Sequence, residues 1–199
     1  MKKLLIATQN LGKLEEYRTL LSPLGYNLLS LTDLGIQDQA EESGATFAEN
    51  SLIKSTHGYK LTGVPCLADD SGLEIDSLGG DPGIYSARYG GDKLTDQERC
   101  QLILTKLAKI PSHERQARFV CCISIIGLAS APIIGIGGIS GIITNISQGD
   151  YGFGYDPIFM LPSLNKTMAE LPSNVKNLIS HRADALRKIK LLIERLEIL

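Results

Sequence analysis

The stretch Lys3-Leu4-Leu5-Ile6-Ala7-Thr8-Gln9-Asn10-Leu11-Gly12-Lys13 opens the fold and sets its pattern. Its first half is a short continuous apolar run that reads as a buried strand over Lys3 to Thr8. Beyond it Leu14, Tyr17, Leu20, Leu21 and Leu24 recur at helical spacing, which predicts a helix from Lys13 to Leu24. Gly25 stands where a helix C-terminal glycine belongs, and Leu28 to Leu31 resembles a second strand.

The rest of the chain keeps switching between the two periods. Thr46 to Leu61 reads as a helix with Phe47, Leu52, Ile53 and Tyr59 among its apolar positions. Val64 to Ala68 is a short apolar strand that runs into Asp69-Asp70-Ser71-Gly72, with Leu73-Glu74-Ile75 beginning a return strand, so both carboxylates are expected at a strand end. Thr95 offers an N-cap for a helix through Lys109, and Pro111 breaks it. Gln116 to Ile126 and Ile133 to Thr144 are β-branched and read as long paired strands. A turn-rich loop covers Ser147 to Pro157, and from Ser173 a helix is expected whose stripe is Ile179, Ala183, Leu186, Ile189, Ile193 and Leu196.

Composition narrows the class. With 199 residues, 43% hydrophobic and 21% charged, the chain suits one folding unit over 1–199 and is neither disordered nor a coiled coil. A formal charge of −2 excludes a global positive field, so neither nucleic acid nor a membrane surface is an expected partner, and no apolar segment is long enough to span a bilayer. Cys66, Cys100, Cys121 and Cys122 lack both C-x-x-C spacing and disulfide-scaffold density, which points to reduced thiols in a cytoplasmic protein.

Four constellations carry chemistry. Thr8 to Lys13 lies between a strand and a helix, where free backbone N–H groups and the helix dipole favour an anion and Lys13 adds a point charge. Taken alone, the segment reads better as a cap by Asn10 with a solvated lysine. It is not a Walker A loop, because Ala7 occupies the first glycine position. Glu41-Glu42 and Asp69-Asp70 supply hard oxygens from two separate segments, which is what magnesium requires, although each pair alone reads as a solvated loop. An aspartyl nucleophile is discounted, since that chemistry displays D-x-D and Ser71 holds the third position. Gly149 to Pro157 combines glycines with the flat side chains Phe153 and Tyr155, suited to a purine or equally to a hairpin core. Ser180-His181-Arg182, with Lys176 before it, offers donors for base carbonyls or a solvated helix face, where Asp184 pairs with Arg187 or Lys188. Gly135 to Gly141 imitates a dinucleotide loop, but Ile142, Ile143 and Thr144 follow it, so it reads as a bulged strand.

Taken in this order, the segments closely resemble the inosine triphosphate pyrophosphatase family, also called dITP/XTP pyrophosphatases. The stretches that carry the resemblance are Ala7 to Lys13, Glu41-Glu42-Ser43-Gly44 with Phe47 and Glu49-Asn50, and Ala68 through Ser86-Ala87-Arg88-Tyr89. Gly152 to Phe159, Ala169-Glu170-Leu171, and Ser180-His181-Arg182 with Ala185-Leu186 complete it. The resemblance implies an elongated, two-lobed α/β fold with a central mixed sheet flanked by helices, a substrate cleft between the lobes and a homodimer. It implies that non-standard purine nucleotides are hydrolysed to monophosphate and pyrophosphate. Thr8, Gln9, Asn10, Leu11, Gly12, Lys13 and Lys54 would hold the triphosphate. Glu41 and Asp70 would carry Mg²⁺, and Asp70 would activate the water. Ser71, Phe153, Gly154, Tyr155, Asp156, Lys176, His181 and Arg182 would surround the nucleoside. The chain departs from the pattern at Gln9, at Ile136 to Ile139 and at Leu171-Pro172-Ser173. Alternatives are a related pyrophosphatase for modified pyrimidine or methylated nucleotides, lacking the Ser180-His181-Arg182 segment, and a silent nucleotide-binding module.

Overall fold

In the computed structural model, residues 2–197 are described, and the side chain of Leu196, the last position of the expected stripe, lies outside the described residues. The element order is β1 (Lys3–Ile6), α1 (Leu11–Leu21), β2 (Asn27–Ser30), α2 (Phe47–Thr62), β3 (Cys66–Ile75), α3 (Asp96–Lys106), β4 (Gln116–Ile126), β5 (Ile133–Ile143), β6 (Phe159–Leu161), β7 (Lys166–Thr167), α4 (Ser173–Ile179) and α5 (His181–Glu197). The strands form one seven-stranded sheet in the order β2-β1-β3-β4-β5-β6-β7. β1 pairs in parallel with β2 and β3, whereas β6 pairs antiparallel with β5 and β7, so the sheet is mixed and the fold is α/β with flanking helices.

The chain divides into two compact units. The first comprises the chain up to Asp70, Cys121–Gly137 and the chain from His181 onward; the second comprises Ser71–Val120 and Gly138–Ser180. In the first unit the two-residue period of β1 sorts its side chains: Leu4 and Ile6 join Tyr17, Leu21, Leu186, Ile189 and Ile193, while Leu5 and Ala7 join Leu31, Cys66 and Ala68. The second unit has its own core, in which Leu73, Ile75, Ile103, Leu107, Phe119, Phe159 and Met168 are packed together.

Two expectations change, and α2 presents an inner face that its apolar positions do not predict. The strand from Val64 does not end at the acidic pair: β3 runs unbroken from Cys66 to Ile75 and carries Asp69 and Asp70 in its middle. Charged partners on both sides overcome the turn propensity of Asp-Asp-Ser-Gly. The helix expected from Ser173 is two helices, since Ser180 adopts ψ 160 and separates α4 from α5. The inward face of α2 is not apolar: Asn50, Ser51, Ser55 and Gly58 are buried, and Tyr59 is 37% exposed. Small polar residues fit there because Ser55 Oγ lies 2.7 Å from Ser124 Oγ, and a side chain at Gly58 would meet Cys66 Sγ at 2.6 Å.

The glycines of β5 have a different purpose from phosphate binding. A Cβ on Gly137 would lie 2.1 Å from Ala185 N and 2.4 Å from His181 O, so the missing side chain is what lets the first turn of α5 rest on the strand. Gly137→Ala should therefore destabilise the protein by about 3 kcal/mol, at the upper end for overpacking a core. Gly138→Ala, whose added carbon meets Phe119 O at 3.3 Å, should cost much less. Denaturant midpoints of the two variants measure the difference, and equal midpoints would contradict the close approach of α5.

Candidate active site

Asp69 and Asp70 are adjacent on β3, and adjacent strand residues face opposite sides of a sheet. Asp69 shares the face of Leu67 and meets α1 and α5; Asp70 shares the face of Ala68 and meets α2. Both carboxylates are buried, at 3% and 6% exposure, so each needs a partner.

On the first face Lys13 Nζ lies 2.9 Å from Asp69 Oδ2, and Arg182 Nε lies 3.4 Å from the same oxygen. Arg182 Nη1 donates to Glu16 Oε2 at 2.9 Å. Lys13, Glu16 and Tyr17 belong together because residues three and four apart share a helix face. Asn10 starts α1 in extended backbone and accepts from Lys13 N at 3.0 Å, and Thr8 Oγ1 accepts from Asn10 N at 3.2 Å. These caps bring the Thr8–Lys13 loop to the end of β1 with Leu11 exposed at its tip. Burial pushes Asp69 up, but Lys13, Arg182 and Lys54 outweigh it and hold the carboxyl well below the usual range. Burial pushes Arg182 down, and Asp69 and Glu16 more than restore it, so the guanidinium stays charged. Asp69 Oδ1 is buried with no hydrogen-bond partner among the described residues.

On the second face Lys54 Nζ bridges Asp70 Oδ1 at 2.9 Å and Glu42 Oε1 at 2.8 Å. Asn50 donates to Asp70 Oδ2 at 3.3 Å while its Oδ1 accepts from Gly44 N at 2.8 Å, so one side chain ties the Glu41–Gly44 loop to β3. Thr46 caps α2 by accepting from Glu49 N, which fixes Asn50 and Lys54 one turn apart. For Asp70 burial prevails over Lys54 and Lys13, and its carboxyl is raised above the ordinary value. Lys54 resists its own burial through Asp70, Asp69 and Glu42, which carry its ammonium upward. Glu42 is thus the loop carboxylate brought to Lys54, whereas Glu41 is exposed and lines a surface groove with Leu52, Ile53 and His57. Gln9 extends from the first loop to the same acidic loop, pairing with Gln39 and donating to Gln37 O at 3.5 Å.

His181 and Arg182 open α5 and are buried at 4% and 2% exposure, so the reading as a solvated face does not hold. Asp184, one turn on, does pair outward with Arg187 and Lys188.

The second unit contains Ser71, the Phe153–Asp156 loop and Lys176. Asp156 Oδ2 accepts from Phe153 N at 2.9 Å and pairs with buried Lys176, whose ammonium lies 4.5 Å from the centre of the Phe153 ring. Gly152, at φ +81, is required there, since a Cβ would meet Asp156 Oδ2 at 2.0 Å. Of the two aromatic residues in the loop, Tyr155 is 5% exposed and donates to Ser86 O at 2.8 Å, leaving Phe153 as the partly open ring.

Sequence reading left Glu16 and Asn50 without roles in the site and gave Glu42 only as half of the acidic pair Glu41-Glu42. Glu16 had a signal, one turn beyond Lys13 on the face of Tyr17; Asn50 had one in its place beside Glu49. Among the described residues no three His, Cys, Asp or Glu side chains converge as a metal group. Asp70 with the Glu41-Glu42 loop still fits a hard cation, because the donors are carboxylate oxygens and magnesium takes one or two of them and completes its shell with water and phosphate.

A model of the Ham1 family matches residues 4–192. The chain is 48% identical over 198 residues to a dITP/XTP pyrophosphatase of Shigella flexneri, covering 98% of both proteins. It is 45% identical over 194 residues to a dITP/XTP pyrophosphatase of Bacillus subtilis (strain 168), again covering 98% of both. The structure of a HAM1 protein from Coxiella burnetii superposes with a TM-score of 0.88 at 41% identity, covering 98% of this chain and 100% of that one. Sequence and fold agree over nearly the whole length, and the chain belongs to the Ham1 family.

Proposed function

We propose that this chain is a nucleoside triphosphate pyrophosphatase that hydrolyses dITP, ITP and XTP to the monophosphate and pyrophosphate and so cleanses the nucleotide pool. The observation that carries the reading is the division of Asp69 and Asp70 between the two faces of β3, one gripping Lys13 and the other Lys54. Two lysines anchored on adjacent carboxylates are suited to a polyphosphate, and the names of the relatives support the substrate class.

In this reading the backbone amides of Asn10 to Lys13 and the ammonium groups of Lys13 and Lys54 bind the triphosphate. Asp70, with Glu41 or Glu42 from the loop that Asn50 ties down, would hold a magnesium ion, which when bound screens the phosphates and acidifies water. Asp70 takes the proton of the attacking water, and Asn50 and Lys54 keep its carboxylate in place. Ser71 and the Phe153–Asp156 loop receive the nucleoside, Phe153 offering its ring face. Lys176, His181 and Arg182 supply donors that match a 6-oxo group and mismatch the 6-amino group of adenine. A homodimer rests on the family resemblance. A cytoplasmic setting is supported by four free, buried cysteines. No helix among the described residues is long and apolar enough to cross a membrane.

ITP should be split to IMP and pyrophosphate only with a divalent cation present, and chelation should abolish turnover. Orthophosphate as the first product, or full activity in metal-free buffer, would overturn the proposal. Asp70→Asn should lower kcat by roughly 10²- to 10⁴-fold while KM changes little, because the amide keeps the shape and loses the base. Lys13→Ala should chiefly raise KM, and steady-state kinetics on ITP separates the two effects.

Arg182 carries a structural cost as well as a proposed contact. Arg182→Ala leaves Glu16 and Asp69 buried with one fewer cation, and the variant should be destabilised by about 3 kcal/mol. The ratio of kcat/KM for ITP over ATP, measured where the variant is folded, should fall about tenfold or more if Arg182 also reads the base. An unchanged ratio would leave Arg182 as a support for Asp69 alone.

A further inference from the structure

The loop that contains Phe153 is held by α3. Asp96 Oδ2 accepts from Gly154 N at 2.7 Å, and Cys100 Sγ, one turn further along α3, donates to Gly154 O at 3.4 Å. The two ends of one residue are therefore gripped by side chains at i and i+4 on a single helix face. Asp96 is itself oriented. Its Oδ1 lies 3.9 Å from Nη1 of Arg99, a buried side chain that also donates to Gly91 O at 3.0 Å. α3 is in turn secured by a complete capping box between Thr95 and Glu98.

Holding residue 154 has a directional consequence. Gly154 adopts φ +61, and its N–H belongs to the peptide that follows Phe153, so fixing that N–H fixes the backbone from which the Phe153 ring projects. One face of the ring is covered by the Lys176 ammonium, and the residue before the grip is fixed by the Phe153 N–H bond to Asp156. A loop that must present a flat surface to a base loses less conformational freedom on binding if its backbone is already ordered.

We infer that Asp96 is a positioning residue for nucleotide recognition, clamping Gly154 so that Phe153 is presented in one orientation. This rests on the reading of Phe153 as the face that meets the base. Asp96 is 59% exposed, and without it the buried guanidinium of Arg99 keeps its bonds to Leu94 O and Gly91 O, so the loss acts on the loop more than on the core.

The experiment compares wild type, Asp96→Ala and Asp96→Asn in steady-state kinetics on ITP, in thermal melting and in amide hydrogen exchange at Gly154 without nucleotide. Asp96→Ala should raise KM for ITP about tenfold, as expected for loss of a hydrogen bond to a charged acceptor, with kcat within about twofold and Tm nearly unchanged. Its Gly154 amide should exchange about tenfold faster or more. Asp96→Asn, whose side-chain oxygen still accepts from Gly154 N, should recover most of both effects. Wild-type KM and exchange in Asp96→Ala would overturn the inference, as would an asparagine variant indistinguishable from alanine. A wild type that fails to split ITP would overturn the proposed function instead, and the exchange measurement would still decide whether the clamp exists.

Discussion

The pleat of β3 is the constraint on which the rest of the first unit depends. Because neighbouring strand residues point to opposite sides, Asp69-Asp70 in mid-strand delivers one carboxylate to the α1 and α5 face and one to the α2 face. Burial of each then dictates the composition of the helices that cover it. The α1 face must bring cations to Asp69, and it does so with Lys13 and, from α5, Arg182. Lys54 performs the same service on α2, whose inward residues are otherwise small and polar. A turn at the same dipeptide would have left both side chains in solvent and required none of this.

The two carboxylates are compensated to different degrees, and this distinguishes them chemically. Asp69 has cations enough to overcome its burial and is held well below the usual range, so it behaves as a fixed anion that orients Lys13. Asp70 has Lys54 on one oxygen and only an amide on the other, and burial prevails. An under-compensated buried carboxylate gains more from an added cation or from a proton than an over-compensated one does. The different roles proposed for two chemically identical neighbours therefore rest on how many positive groups the covering helices place on each face.

Much of this was legible in the sequence. Period changes marked the helices and strands, the cap at Asn10 was visible, and the order of the motifs gave the family. What was not legible has a common cause. The continuity of β3 through Asp69-Asp70-Ser71-Gly72 depends on partners far away in the chain, and local turn propensity argues the other way. The inward face of α2 is not legible for a similar reason: Ser51, Ser55 and Gly58 look like a polar face until β3 and β4 approach closely enough to need small residues. Glu42 and Glu41 cannot be told apart by spacing, because what separates them is which one the Asn50 anchor turns toward Lys54.

Lys54 shows how a binding site can be kept ordered before its ligand arrives. Its ammonium sits on Asp70 and Glu42 together, so it holds two like charges close to each other that would otherwise repel. The same positive charge is the one proposed to meet a phosphate. A group that brought positive charge to Asp70 and Glu42 would weaken the hold of both carboxylates on Lys54 and leave its ammonium available to an anion. Exchange of partners among charges already partly buried would avoid much of the desolvation that a fresh lysine from solvent incurs. In the proposed function, the ion pair that ties the acidic loop to β3 would also hold the cation offered to the phosphate, so that folding and binding would draw on the same side chain in turn.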